Sequence, residues 1–146
     1  MSKPIYILNG PNLNCLGKRE PEIYGRTTLP EVEAMCRHAA GDVPVVFRQS
    51  NAEFQLIDWI HEAIDEGAGL IINPAGLTFV SIPILDALKM LPHPIIELHI
   101  TNIHRREAIY HNSLVSKVAT AVIAGLGPDG YPIAVTAMLK LLASSR

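Results

Sequence analysis

The stretch Ile5-Tyr6-Ile7-Leu8-Asn9-Gly10-Pro11-Asn12 decides how the rest of the chain is read. Its first four residues are apolar, and the run is too short for a helix. It stops at Asn9-Gly10-Pro11, a strong turn signal, so residues 5–8 read as a buried strand. The same pattern returns at residues 44–48, 69–72, 94–99 and 120–124. Helical spacing fills the gaps. Thr28 is placed to cap a helix with Pro30 and Glu31 in its first turn and Val32, Met35, Cys36 and Ala39 on its apolar stripe. Leu56, Ile57, Ile60, Ala63 and Ile64 define a second helix that Gly67 ends. Ser81 caps a third, running to Met90, and Ala134, Ala137, Met138, Leu141 and Leu142 line the last.

Five buried strands separated by helices predict an α/β fold, a parallel sheet covered on both faces. The expected strand order is 2-1-3-4-5, the flavodoxin-like arrangement, whose crevice lies beyond the carboxyl ends of strands 1 and 3. No repeat or linker interrupts residues 1–146, so a single domain is expected. Hydrophobic residues make up 49% and charged residues 18%, the balance of a globular chain. With a formal net charge of −2, no basic run and 5% aromatics, a nucleic-acid footprint is not expected. Cys15 and Cys36 form no framework and read as free thiols. Neither a signal peptide nor a membrane span is legible, which makes the cytoplasm the expected compartment.

Function is expected just past the strand ends. Those positions deliver Asn9 to Asn12, then Gln49, Ser50 and Asn51, then Asn73, then Glu97 and His99. The loop after the first strand runs to about Arg26, longer than the roughly 2–6 residues of an ordinary βα connection. It carries Arg19 and Tyr24 between Gly17 and Gly25. A guanidinium beside a phenol favours the ionised form, and a phenolate can serve as a general base. An exposed tyrosine beside a solvated arginine fits the same spacing. Glu97 and His99 lie two residues apart on one strand and so share a face. The carboxylate can hold the imidazole in one tautomer, leaving the other nitrogen for proton transfer. A hydrogen-bonded core histidine is the competing reading. The spacing of His99, His104 and His111 matches no familiar metal site. Gly125, Gly127 and Gly130 fit GxGxxG, but no strand with an acidic residue follows, so they read as a tight turn.

Residues 7–14, followed by Gly17 and Arg19-Glu20-Pro21-Glu22-Ile23-Tyr24-Gly25, closely resemble the signature of type II 3-dehydroquinate dehydratases. Gln49-Ser50-Asn51, Ile71-Ile72-Asn73-Pro74, Glu97-Leu98-His99-Ile100 and residues 123–127 extend the resemblance over almost the whole chain. It implies a flavodoxin-like enzyme that dehydrates 3-dehydroquinate to 3-dehydroshikimate without metal or organic cofactor and assembles as a dodecamer of trimers. By this resemblance Tyr24 removes the proton beside the ketone and Arg19 keeps Tyr24 ionised. Asn12 stabilises the enolate through a water, and His99, backed by Glu97, protonates the departing hydroxyl. Asn73 and the backbone of Ile100 and Thr101 would hold the carboxylate end. Arg106 and Asp86 match further substrate contacts.

The chain departs from the family pattern at the wall that reads the ring hydroxyls. Phe79 stands where a histidine is usual, Tyr110 where a second arginine is, and Met90 where an acidic residue is. Asn51-Ala52-Glu53-Phe54 replaces Asn-His-Glu-Gly. A buried hydroxyl left unpaired costs about 1–3 kcal/mol. Three readings are therefore carried: a dehydratase with an altered outer wall, a paralogue acting on a less hydroxylated cyclic carboxylate, and a non-catalytic ligand-binding protein on this scaffold.

Overall fold

The computed structural model describes residues 2–144. Met1, at the head of the N-terminal reading, and residues 145–146, at the end of the expected domain, lie outside the described residues. Five strands, β1 (Ile5–Asn9), β2 (Val45–Gln49), β3 (Gly69–Asn73), β4 (Ile95–His99) and β5 (Ala121–Ala124), form one sheet in the order β2-β1-β3-β4-β5. Every pairing is parallel. Order and sense are those read from the sequence.

Period-two alternation distributes the strand side chains between two cores. Ile5, Ile7, Ile71, Ile96 and Leu98 face one way, where α2 (Leu29–Ala40) and α5 (Gly130–Ser144) cover them with Val32, Cys36, Ala134, Val135 and Met138. Tyr6, Leu8, Leu70, Ile72 and Ile95 face the other, beneath α3 (Glu53–Glu66) and α4 (Ile82–Lys89). The helix starts follow their caps. Thr28 Oγ accepts from the Glu31 N–H while Glu31 accepts from the Thr28 N–H, a reciprocal capping box. Ser81 Oγ accepts from the Ile84 N–H at the head of α4. Met90 lies just past the end of α4, one residue short of the expected span.

The long loop after β1 is more ordered than its composition suggests. It holds a 3₁₀ turn at Leu13–Cys15 and a one-turn helix, α1 (Pro21–Tyr24). Residues 101–118 hold three 3₁₀ turns, Ile103–Arg105, Ala108–Tyr110 and Val115–Lys117. Gly125 and Gly127 adopt φ of 93° and 65°, the left-handed backbone of a tight turn. Among the described residues no helix is long and apolar enough to cross a membrane.

Candidate active site

Close backbone packing sets the site. β1 and β3 leave the sheet side by side, and the Gly10 N–H donates to the Asn73 carbonyl at 2.8 Å. A Cβ on Gly10 would lie 2.3 Å from the Pro74 carbonyl oxygen, so no larger residue fits there without moving the chain. Gln49 Nε2 donates to the Gly10 carbonyl at 3.1 Å and to Asn51 Oδ1 at 3.0 Å, and the Asn12 N–H donates to the same Asn51 oxygen at 2.9 Å. Ser50 Oγ accepts from the Ala52 N–H. Gln49 and Asn51 therefore brace the neighbouring loop, and Ser50 its own turn. They do not line the cavity, as their strand-end position had suggested. Asn12, held at φ 74°, turns the chain into that loop.

A cavity of about 230 Å³ opens at the carboxyl edge of the sheet. It gathers Asn12, Arg19, Tyr24, Asn73, Phe79, His99, Ile100, Thr101, Arg106 and Tyr110 from five separate stretches of chain. Ten of the twelve residues assigned a catalytic or substrate-binding role from the sequence thus meet in one place. Glu97 lies directly behind, fully buried, and reaches the cavity only through His99. Asp86 does not reach it. This residue sits on the exposed face of α4, with Lys89 Nζ at 3.9 Å, because α4 turns Ile84, Leu85, Ala87 and Leu88 inward.

Two guanidiniums lie on the Tyr24 ring. Arg19 Cζ stands 4.9 Å from its centroid and Arg106 Cζ 6.0 Å. Arg106 also lies 4.0 Å over the Tyr110 ring, and Tyr110 meets Phe79 edge-on at 5.4 Å. The Phe79 ring in turn stacks on His99. Cation–π and aromatic contacts thus run unbroken from the tyrosine of the first loop to the histidine of β4. Two carboxylates stand near this wall: Glu97 behind His99, and Glu20, whose Oε2 lies 3.8 Å from Arg19 Nε.

His99 Nε2 bonds Glu97 Oε2 at 2.5 Å. The same carboxylate accepts from Ser113 Oγ at 2.8 Å and Ser116 Oγ at 2.5 Å. Burial alone would push the Glu97 carboxyl up. Hydrogen bonds from His99, Ser116 and Ser113 outweigh it and hold the group below the usual carboxylate range. With Nε2 committed to Glu97, Nδ1 is the nitrogen of His99 left for a ligand.

Asn73 is more committed to the fold than its expected role suggested. Its Nδ2 donates to Tyr131 Oη at 3.0 Å and its Oδ1 accepts from the Ala75 N–H at 3.2 Å. Tyr131 Oη donates to Asn9 Oδ1 at 2.7 Å, joining the ends of β1 and β3 through α5. Ser113, Ser116 and Tyr131 were not singled out in the sequence. The one signal pointing to Tyr131 is its place beside the Gly125–Gly130 turn, at the start of the last helix.

A phenol flanked by guanidiniums and a carboxylate-held imidazole, facing one polar cavity, can remove a proton from one atom of a bound ligand and return one to another. Comparison with known proteins agrees with this geometry. Residues 3–139 match the family described as dehydroquinase class II. The chain is 51% identical to the 3-dehydroquinate dehydratase of Hyphomonas neptunium over 146 residues, covering 100% of this chain and 99% of that one. It is 54% identical to 3-dehydroquinate dehydratase 2 of Agrobacterium fabrum over 142 residues, 95% and 96% of the two chains. The crystal structure of type II dehydroquinase from Propionibacterium acnes superposes with a TM-score of 0.90 at 43% identity over 99% of both chains. With the match spanning nearly its whole length, the chain belongs to the class II dehydroquinase family.

Proposed function

We propose that this protein is a hydro-lyase that eliminates water from 3-dehydroquinate to give 3-dehydroshikimate, through an enolate. The observation that carries this reading is the meeting of Tyr24 and His99, from opposite ends of the aromatic wall, on one cavity. Relatives at 51% and 54% identity that carry the name 3-dehydroquinate dehydratase support it over a less hydroxylated substrate or a binding protein without turnover.

Tyr24 acts as the base. It takes the proton from the carbon beside the ketone, and the C–H electrons form the enolate. Arg19 and Arg106 stand over its ring, and Arg19 is assigned, by the family resemblance, to its activation. Asn12, through a water, is assigned to the enolate oxygen. When the enolate collapses, the bond to the leaving hydroxyl breaks, and His99 supplies the proton that turns the hydroxyl into water. Because Nε2 is held by Glu97, the donated proton comes from Nδ1. The phenol gains one proton and the imidazole loses one, so the pair is reset by proton exchange with solvent. Ile100, Thr101 and the remaining amide capacity of Asn73 are assigned to the substrate's carboxylate, and Phe79, Tyr110 and Arg106 to its ring.

Asp86 lies outside this chain's cavity, so it contacts substrate only across an interface between copies. α4 supports such an interface. Ile82, Asp86 and Met90 recur every four residues on its outer face, and Ile82 and Met90 are 60% and 57% exposed. A homo-oligomer, a dodecamer of trimers by the family resemblance, working in the cytoplasm on a small carboxylate, completes the reading.

Steady-state dehydration of 3-dehydroquinate, followed by the ultraviolet absorbance of the conjugated enone, tests it. Wild-type turnover and a loss of about 10²–10⁴-fold in Tyr24→Phe are expected. A folded protein without turnover would overturn the assignment.

A further inference from the structure

Glu97 is fully buried, yet it carries three hydrogen bonds on two oxygens. Oε2 accepts from Ser113 and faces His99 Nε2, while Oε1 accepts from Ser116 alone. The two serines are tied to each other, since Ser113 Oγ also accepts from the Ser116 N–H at 3.1 Å. That bond braces the start of the 3₁₀ turn Val115–Lys117 and accounts for Ser113 as a turn residue. It does not account for Ser116. The turn makes no use of the Ser116 hydroxyl, and the residue is otherwise exposed, yet its Oγ points inward to Glu97.

The turn is itself anchored at the cavity wall. The Leu114 N–H donates to the Thr78 carbonyl at 3.0 Å, one residue before Phe79, and Val115 is buried in the core beneath α4. Both serines are therefore held in place by contacts that do not involve Glu97.

We infer that Ser113 and Ser116 are positioning residues for the proton donor: they fix the Glu97 carboxylate in plane and in its charged form, and through it hold the His99 ring in the tautomer that turns Nδ1 to the cavity. A carboxylate out of contact with water needs donors on both oxygens to stay ionised. His99 supplies one donor, and the serines supply the rest. Without them the carboxyl takes up a proton at higher pH, and a neutral acid beside Nε2 no longer stabilises a charged imidazole.

The inference rests on the proposed role of His99, and its test separates the two. The variants are Ser113→Ala, Ser116→Ala, the double, and Ser116→Thr, which keeps a hydroxyl. In the unliganded protein the Glu97 side-chain carboxyl is titrated by ¹³C NMR, assigned with Glu97→Gln, and the His99 tautomer is read from ring ¹⁵N shifts. In turnover, kcat and KM for 3-dehydroquinate are measured against pH. In the double variant the Glu97 carboxyl should titrate at higher pH than in wild type, and the acid limb of kcat should move the same way. At neutral pH its kcat should fall about tenfold or more, the scale of a lost hydrogen bond to a charged group, with KM within about twofold of wild type. Ser116→Thr should restore both readouts. An unchanged Glu97 titration in a folded double variant overturns the inference. If the double variant does not fold, Ser116→Ala, which keeps the bond from the residue 116 N–H to Ser113 Oγ, decides on the same two readouts. A wild-type enzyme without turnover would overturn the function while the NMR titration still decided the role of the serines.

Discussion

The ring of Phe79 lies against that of His99, with centroids 6.1 Å apart and 25° between their planes. Glu97 fixes one edge of the imidazole and Phe79 covers a face, so the histidine has little freedom to leave the cavity wall. Phe79→Ala removes this stack and the edge contact to Tyr110 together, each worth about 0.5–1.5 kcal/mol. In steady-state assays kcat/KM for 3-dehydroquinate should fall about tenfold, with most of the loss in kcat as His99 gains freedom. An increase instead would mean that Phe79 obstructs the substrate and that the apolar wall suits a smaller or less hydroxylated ring.

The Glu97 carboxyl also makes stability depend on pH. An unfolded glutamate titrates near pH 4.3, and in the fold the group sits below the usual range because hydrogen bonds from His99, Ser116 and Ser113 overcome its burial. Its contribution is therefore fully present above the unfolded value and is lost as pH falls through the folded one. Urea unfolding between pH 6 and pH 3 should show stability falling in acid. Glu97→Gln should flatten that slope without abolishing it, because Glu62, held down chiefly by Arg48 and Tyr6, still contributes. Equal slopes in the two proteins would rule out this assignment.

The sheet was legible because buried parallel strands read as unbroken apolar runs, and because Thr28 and Ser81 mark helix starts in any tertiary context. The Glu97–His99 pair was legible for a similar local reason, since period two puts both on one face. The rest depends on partners distant in sequence. Tyr131 bonds residues 58 and 122 positions away, and Ser116 reaches back 19 positions to Glu97, so neither leaves a trace in local spacing. The helix under Tyr24 is a single turn, too short to show a period, and it follows Glu20 at φ 40°, a conformation that composition does not announce. Gln49 and Asn51 misled because a strand-end position shows that a side chain is near the crevice but not whether it faces ligand or loop.

The outer face of α4 is the proposed interface between copies. Val80 and Phe54, 72% and 71% exposed, extend the stripe of Ile82 and Met90. They are brought near one another by the Ser81–Glu53 hydrogen bond. In an isolated chain the double change Ile82→Arg, Met90→Arg should alter stability by no more than about 0.5 kcal/mol per site. In the oligomer it would bury charge without a partner. Sedimentation velocity should show wild type as a multiple of the 15.9 kDa chain and the double variant as the single chain with unchanged far-ultraviolet dichroism. An oligomer that survives both arginines would place the interface elsewhere.

Gly10 joins fold to chemistry most directly, because it lets β1 and β3 leave the sheet in contact. In Gly10→Ala the new methyl would meet Pro74 backbone atoms at 2.3 and 2.6 Å, and neither belongs to a side chain that can rotate away. One of the two strand exits must shift, carrying Asn12 on one side or Asn73 on the other. Overpacking of this kind costs about 1–3 kcal/mol. Displacing a positioned group by about 1 Å can cost about 10²-fold in rate. Urea unfolding and kcat/KM should both register the change. Gly76→Ala is the stability control, since a Cβ there meets nothing within 4 Å. A Gly10→Ala protein as stable as that control would show that the Gly10–Pro74 approach does not hold the two strand exits in register.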